Sequence, residues 1–340
     1  MNSKTLGIVL KTVERCNLNC TYCYFFNSID DSFKKHPAYI SFDTIKHIVE
    51  FLRKGIQELK IEHVKIGIHG GEPLLQNKKD FDRMCSYFID NIGDVAKVSF
   101  TLQTNAMLLN EKWIDLIEKY RIGVGASIDG PKEYNDKYRI DHSGIGSYDK
   151  VVEKIKFFNA QARMRKINTL GCLSVINPEF SGRLAYRHLV DDVHLDSFNF
   201  LLPDNNYHIL PRFEVSKYGK FMCEVLDEWL KDDNSNINVT FISSSLGMFF
   251  DKPSMVYGIG PSDPDELPLI TIASNGDLSP VDELRSTDPT MMNLCNVTDC
   301  SLKDFLNLPI FTEIKDAQRD LPQKCKECCW EKICGGRWYS

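Results

Sequence analysis

LGIVLKTVERCNLNCTYCY, residues 6–24, places a short aliphatic run directly ahead of three cysteines. Leu6 to Thr12 is brief and apolar, as a strand buried on both faces should be. Cys16-Asn-Leu-Asn-Cys20-Thr-Tyr-Cys23 then falls in the loop that leaves this strand.

Further along, the chain alternates between two periods. Strand-like runs recur as VKIGIHG from Val64, VSFTLQT from Val98, IGVGASI from Ile122, TLGCLSVI from Thr169 and SFNFLL from Ser197. Between them lie helical patterns: FDTIKHIVEFLRKGI after Ser41, KKDFDRMCSYFIDNI after Asn77, EKWIDLIEKY after Asn110, and SYDKVVEKIKFF opening at Ser147. Ser41 reads as an N-cap. Strand and helix in alternation predict parallel pairing with right-handed crossovers. The fold class is therefore α/β, a partial (β/α)6 barrel followed by a small Cys-rich C-terminal extension. In such barrels sites gather at the C-terminal strand ends, which is where the cysteine loop falls. The expected boundaries are 1–205 for the barrel, 206–290 for a bridging region and 291–340 for the extension. PDNNYHILPRF, from Pro203, reads as a linker, and Tyr218 to Lys231 as a helix. LITIASNGDLSPV, from Leu269, reads as a hairpin turning at Asn275-Gly276. Little regular structure is expected from Asp316 onward.

With 340 residues, 43% of them apolar, the chain can bury a large core and a smaller one. No window reads as a signal peptide or a membrane span, so a cytoplasmic protein with no membrane partner is expected. A net charge of −6 disfavours nucleic acid as a partner, since duplex binders carry a basic surplus. The twelve cysteines cluster, and in a reducing compartment clustered thiols point to metal rather than to disulfides. The scattered Cys85, Cys172 and Cys223 read as small buried hydrophobes.

Three thiolates can hold three irons of a 4Fe–4S cube and leave the fourth open to a ligand. A structural zinc site would want four. The Cys-x3-Cys-x2-Cys loop, with Asn17 and Asn19 inside it and Tyr22 and Tyr24 around its end, resembles that of the radical S-adenosylmethionine (SAM) superfamily. The alternative is a zinc site or unrelated thiols. The resemblance covers about residues 6–202. His69-Gly70-Gly71-Glu72-Pro73 is similar to the family's GGEP motif, and Gln103-Thr104-Asn105 to its QTNG, with Ala106 in place of the last Gly. Ser127-Ile128-Asp129-Gly130-Pro131 matches SxDGP. The resemblance implies that Cys16, Cys20 and Cys23 carry the cluster and that SAM binds its open iron. His69, Gly70, Gly71, Glu72, Gln103, Asn105, Ser127, Asp129 and Arg139 would then form the SAM pocket. Gly70 and Gly71 would let backbone approach the ligand, and Arg139 would clamp its carboxylate. An ordinary Gly-Gly turn and a surface ion pair are the plainer readings of these features.

Cys325-x2-Cys328-x5-Cys334, followed by Gly335-Gly336, resembles the SPASM extension of peptide-modifying members. That extension implies auxiliary iron–sulfur clusters, or, on the plainer reading, a zinc knuckle. One auxiliary cluster is expected rather than two, because Met255 to Val281 lacks Cys and the place of a further ligand holds Arg337, Trp338 and Tyr339. Its fourth ligand is either Cys295, Cys300 or Cys329, or is missing because the chain is truncated at Ser340, or the site is open. Gly276 to Asp282 aligns with a SPASM segment whose ligand Cys is here Val281. Asp282 keeps a carboxylate that accepts a proton in related maturases; the alternative is a hairpin surface residue, and Asp277 reads as part of the turn. Together with Glu283-Leu284-Arg285, this segment is similar to that of cyclophane-forming maturases.

The resemblance therefore implies maturation of a ribosomally made precursor peptide, joining an aromatic ring to a Cβ, with an electron donor such as flavodoxin or ferredoxin. Oxidation of Ser or Cys to formylglycine, as in anaerobic sulfatase maturases, is the alternative within the family. A non-catalytic iron–sulfur electron carrier is the alternative outside it. No separate leader-binding domain is expected.

Overall fold

The computed structural model of the chain describes residues 4–206, 209–256, 266–317 and 320–335. They form two compact units. The first comprises Met1–Ile128, Asn135–Leu170 and Leu267–Asn307; the second Asp129–Tyr134, Gly171–Glu266 and Leu308–Ser340.

The first unit opens with strand β1 (Thr5–Val13), then α1 (Phe42–Leu59), β2 (His63–Gly70), α2 (Lys78–Ile92), β3 (Lys97–Thr104), α3 (Glu111–Tyr120), β4 (Gly123–Ser127) and α4 (Tyr148–Arg165). The four strands pair in parallel, with Ile8 opposite Ile66, Ile66 opposite Phe100 and Gln103 opposite Gly125. Leu6, Ile8 and Leu10 of β1, Val64, Ile66 and Ile68 of β2, and Ile45, Ile48, Leu52 and Ile56 of α1 are all buried. The helices start where polar caps stand. Ser41 accepts from Thr44 N at 3.0 Å, Asn77 from Lys79 N at 2.9 Å and Asn110 from Trp113 N at 3.3 Å. Ser147 does not cap: its hydroxyl donates to Arg139 O, and Asp136 takes Tyr148 N instead.

In the second unit β5 (Gly171–Val175), α5 (Gly182–Arg187), β6 (Ser197–Leu201), α6 (Val215–Asp232) and β7 (Asn238–Val239) follow. β5 pairs with β6 and β6 with β7, both in parallel. The expected helix at Tyr218–Lys231 is thus longer at its start. Cys223 is exposed, not buried, because α6 turns Tyr218, Phe221 and Val225 inward and position 223 falls on another face. Cys85 and Cys172 are buried as expected. Short helices Gln323–Lys326 and Glu331–Cys334 stand where irregular chain was expected. Among the described residues no helix is long and apolar enough to cross a membrane.

The chain then returns to the first unit with β8 (Ile270–Ile272), β9 (Asp277–Ser279) and β10 (Cys295–Asn296). The hairpin turns at Gly276, φ 92°. β8 lies parallel to β1, with Leu10 opposite Ile272. This unit's strand order is therefore β10-β9-β8-β1-β2-β3-β4. Sequence periodicity did not anticipate the β8–β1 pairing.

A buried imidazolium fastens the hairpin to the end of β1. His36 Nδ1 lies 2.9 Å from Glu14 Oε2, and its Nε2 lies 3.6 Å from Asp277 Oδ2. Ser274 N donates to Glu14 Oε1 at 2.9 Å. Burial opposes the charge on His36, but Asp277 and Glu14 raise its pKa to about 9; Asp277 falls to about 2, and Glu14 is also lowered. A raised histidine stabilises fully below 6.5 and stops doing so as pH rises through about 9. The lowered carboxylates stabilise above their ordinary range and stop as pH falls through it. His36→Gln should therefore lose on the order of 2–3 kcal/mol near pH 5–6, a difference that shrinks toward pH 10. Urea unfolding of both proteins across that range checks this, and a pH-independent difference would refute it.

Candidate active site

The cysteine loop leaves β1 and is clamped by the segment Tyr138–His142. Asn19 N donates to Ile140 O at 2.8 Å, Thr21 N to Tyr138 O at 3.0 Å, and His142 Nε2 to Cys16 O at 3.0 Å. Cys16, Cys20 and Cys23 are half-buried free thiols. Burial pushes Cys16 up to about 12, against the Leu18 N–H and helped by the negative neighbours Glu72, Cys20 and Cys23. A bare thiolate is thus disfavoured here, and a cationic metal would supply the missing compensation. Three thiolates can each take one iron of a cube and leave the fourth open to a ligand, whereas a structural zinc site wants four ligands. The donor set therefore suits an iron–sulfur cube.

Gly70 and Gly71 are required by the protein's own chain. A Cβ at Gly70, φ 130°, would stand 2.1 Å from Val13 O, and one at Gly71 2.1 Å from Arg15 O. Gly71 N and Glu72 N donate to those same carbonyls, at 2.7 and 2.9 Å. The close approach read from the sequence is thus to the exit of β1. A ligand ammonium would have only the carbonyls of this turn to meet, the N–H groups being engaged.

Glu72 ties this turn to the next. It is fully buried, and its carboxylate accepts from Leu74 N, Thr104 Oγ1 and Asn105 N at 2.9, 2.6 and 2.7 Å. Asn105 Nδ2 reaches Asn17 Oδ1 at 2.8 Å, inside the cysteine loop. Ala106 has φ 65°, the left-handed backbone that explains a glycine in the family pattern. Gln103 Nε2 donates to Ser127 Oγ at 2.9 Å. Arg139 is 7% exposed and donates to Tyr22 OH at 2.8 Å, so the surface ion-pair reading falls. His69, Gln103, Asn105, Ser127 and Arg139 share the unit that carries the cysteine loop; Asp129 lies in the second unit, where it accepts from Val175 N at 3.0 Å.

Asp282 is buried, not a hairpin surface residue. The short turn Asp282–Ser286 after β9 carries it to β1, where it pairs with Lys11. Tyr24 OH donates to the same oxygen at 2.8 Å, and Lys11 Nζ lies 3.2 Å from His69 Nδ1. Burial would raise Asp282, but Lys11 and Arg285 hold it well below the usual carboxylate range. Burial, then Lys11, lowers His69 to about 4, so it is neutral and accepts from Lys11. Lys11, Arg285 and Asp30 were missed in the sequence. The available signal was a lysine inside an otherwise aliphatic strand.

In the second unit Cys325 is half-buried and Cys334 exposed, each on a short helix, and Cys328, between the two helices, is exposed. Cys295 and Cys300, in the first unit, are half-buried, and Cys300 Sγ donates to Asn296 O at 3.6 Å. Gly336, Arg337, Trp338 and Tyr339 lie outside the described residues.

The sequence is 26% identical to a serine-type anaerobic sulfatase-maturating enzyme of Bacteroides thetaiotaomicron, over 98% of this chain and 82% of that protein. It is 25% identical to a cysteine-type enzyme of Clostridium perfringens, over 97% and 88%. The fold superposes on native anSMEcpe with bound AdoMet and Kp18Cys peptide at a TM-score of 0.81 and 22% identity, covering 98% and 89% of the two chains. Residues 10–171, which span the cysteine loop, both glycine-rich turns and Arg139, match the sequence model of the Radical SAM superfamily. The chain belongs to that superfamily and is a radical SAM enzyme using a 4Fe–4S cluster with SAM.

Proposed function

We propose that this enzyme oxidises a Ser or Cys side chain of a peptide or protein substrate at Cβ, giving formylglycine. The observation that carries the reading is the Tyr24–Asp282 hydrogen bond. Tyr24 follows Cys23 directly, so a buried carboxylate stands one side chain away from the cluster loop. The sulfatase-maturating relatives, matched over almost the whole chain, support it.

When bound, the cluster and SAM supply the carbon radical that takes a hydrogen atom from Cβ and the route by which the remaining electron leaves. Cys16, Cys20 and Cys23 hold the cluster. The turn at Gly70-Gly71, Ser127 and Arg139 hold SAM. Asp282 takes the proton from the substrate's hydroxyl or thiol; with the Cβ hydrogen atom and one electron also gone, Ser becomes the aldehyde directly, whereas Cys becomes a thioaldehyde that water hydrolyses to the aldehyde with release of hydrogen sulfide. Because Lys11 and Tyr24 already bond its oxygen, the carboxylate is ionised and fixed before substrate arrives. Cys325, Cys328 and Cys334 hold one auxiliary cluster, and flavodoxin or ferredoxin supplies electrons.

A second reading, the ring-to-Cβ crosslink, shares the same hydrogen abstraction. It is favoured by Val281, a buried valine where the SPASM pattern places a ligand Cys. Its product would not react with a hydrazide, whereas formylglycine, an aldehyde, would.

Anaerobically reconstituted enzyme should hold about eight irons, four per cube. Changing Cys16, Cys20 and Cys23 together to Ala should leave about four and abolish 5′-deoxyadenosine release with dithionite. Undiminished release from that variant refutes the SAM site. For the proton acceptor, Asp282→Asn should keep releasing 5′-deoxyadenosine while hydrazide-reactive Kp18Cys peptide falls by roughly 10² or more. Aldehyde formed at the normal rate would remove Asp282 from the reaction.

A further inference from the structure

Arg285 is a buried guanidinium with more donors than partners. It sits on the turn Asp282–Ser286 and is 4% exposed. Its Nη2 meets Asp30 Oδ2 at 3.0 Å, and its guanidinium carbon lies 4.2 Å from the centre of the Phe25 ring. Nε and Nη1 are buried and meet no acceptor among the described residues. A buried charged donor left unpaired carries a large desolvation penalty, so both positions call for an acceptor that the described residues do not supply.

These donors belong to the neighbourhood of Asp282. Lys11 Nζ leans on the same Phe25 ring at 4.7 Å, and the Arg285 charge acts on Lys11, Tyr24, His69 and Asp282 alike. The cations there already have their counter-charges: Lys11 and Arg285 stand against Asp282, Asp30 and Glu283, with His69 neutral. An incoming carboxylate or phosphate would add an uncompensated buried negative charge. A neutral acceptor would not, and a peptide carries one at every residue, its main-chain carbonyl.

We infer that Arg285 anchors the substrate by donating from Nε and Nη1 to main-chain carbonyl oxygens beside the residue being oxidised. This rests on the peptide-modifying reading above. Arg285 makes and breaks no bond; it sets the register in which Cβ is presented. Asp30 keeps the guanidinium in place. Its own carboxylate is fixed by Ser32 N at 3.1 Å and Ser32 Oγ at 2.9 Å, so the donors are oriented before the peptide binds.

The test uses fluorescein-labelled Kp18Cys peptide and reconstituted, SAM-loaded enzyme, with affinity read by anisotropy and folding checked by far-UV circular dichroism. Arg285→Lys keeps the charge and the Asp30 pair but cannot present both donors; the peptide Kd should rise about tenfold or more. Arg285→Met should lose at least as much. Asp30→Asn breaks the ion pair and leaves both donors, so its loss should be clearly smaller. Wild-type affinity in both Arg285 variants overturns the inference, the donors then being met by internal water. An equal loss in Asp30→Asn also overturns it, making Arg285 a structural residue. Wild-type enzyme that binds the peptide without oxidising it, with affinity still lost in Arg285→Lys, refutes formylglycine formation and upholds the anchor. Wild-type enzyme that does not bind the peptide overturns both.

Discussion

Lys11 and Asp282 are 271 residues apart in sequence and share one buried ion pair. Much of the site depends on it. Lys11 is 1% exposed and Asp282 4%, so neither charge has water to fall back on. Breaking such a pair from one side costs about 3–5 kcal/mol, because the survivor is left charged and buried. The pair therefore fixes where the returning hairpin sits on β1. Once β8 has paired with β1, the turn after β9 delivers Asp282, and with it Arg285, to the residues that flank the cysteine loop. His36 secures the same hairpin from its other end.

The glycine-rich turn shows a second constraint. β1 and β2 run parallel, and beyond Val13 the departing chain crosses the Gly70-Gly71 turn at backbone contact. No side chain fits there. The crossing puts the Cys16 end of the loop next to Glu72, whose three hydrogen bonds set the position of Asn105, and Asn105 bonds back to Asn17. The cysteine loop, the glycine turn and the Gln103–Asn105 turn thus form one hydrogen-bonded ring. Positions that look like separate motifs along the sequence are one construction in space.

The local code of the first unit was legible because strand and helix periods, caps and turn residues are properties of neighbouring residues. β1 through α4 stand where the apolar runs place them, and the Asn275-Gly276 hairpin is where its dipeptide predicts. The pairing of the returning hairpin was not legible. Nothing in Ile270–Ile272 says that its partner is β1, since three buried residues pair as well with one edge as another. The site split along the same line. The cysteines and glycines have fixed spacing and could be read. Lys11, Asp30 and Arg285 matter only through partners distant in sequence, and an Asp-Glu-Leu-Arg tetrapeptide looks like solvated surface until the fold buries it. At Gly70 and Gly71 the crossing with the exit of β1 was not legible, because sequence cannot tell a backbone that approaches a ligand from one that approaches itself.

The buried charges around Asp282 have their protonation states fixed by the fold. Asp282 is held ionised by Lys11 against its burial, His69 is held neutral, and Cys16 is disfavoured as a thiolate until a metal compensates it. Each group has its protonation state set by a fixed neighbour instead of by solvent. Tyr24 and Lys11 bond a single carboxylate oxygen, so a proton arriving at Asp282 enters a hydrogen-bonded chain that continues through Lys11 to His69. The neutral imidazole gives that chain a second group able to take up charge. Electrostatic preorganisation of this kind needs no rearrangement at the moment of reaction.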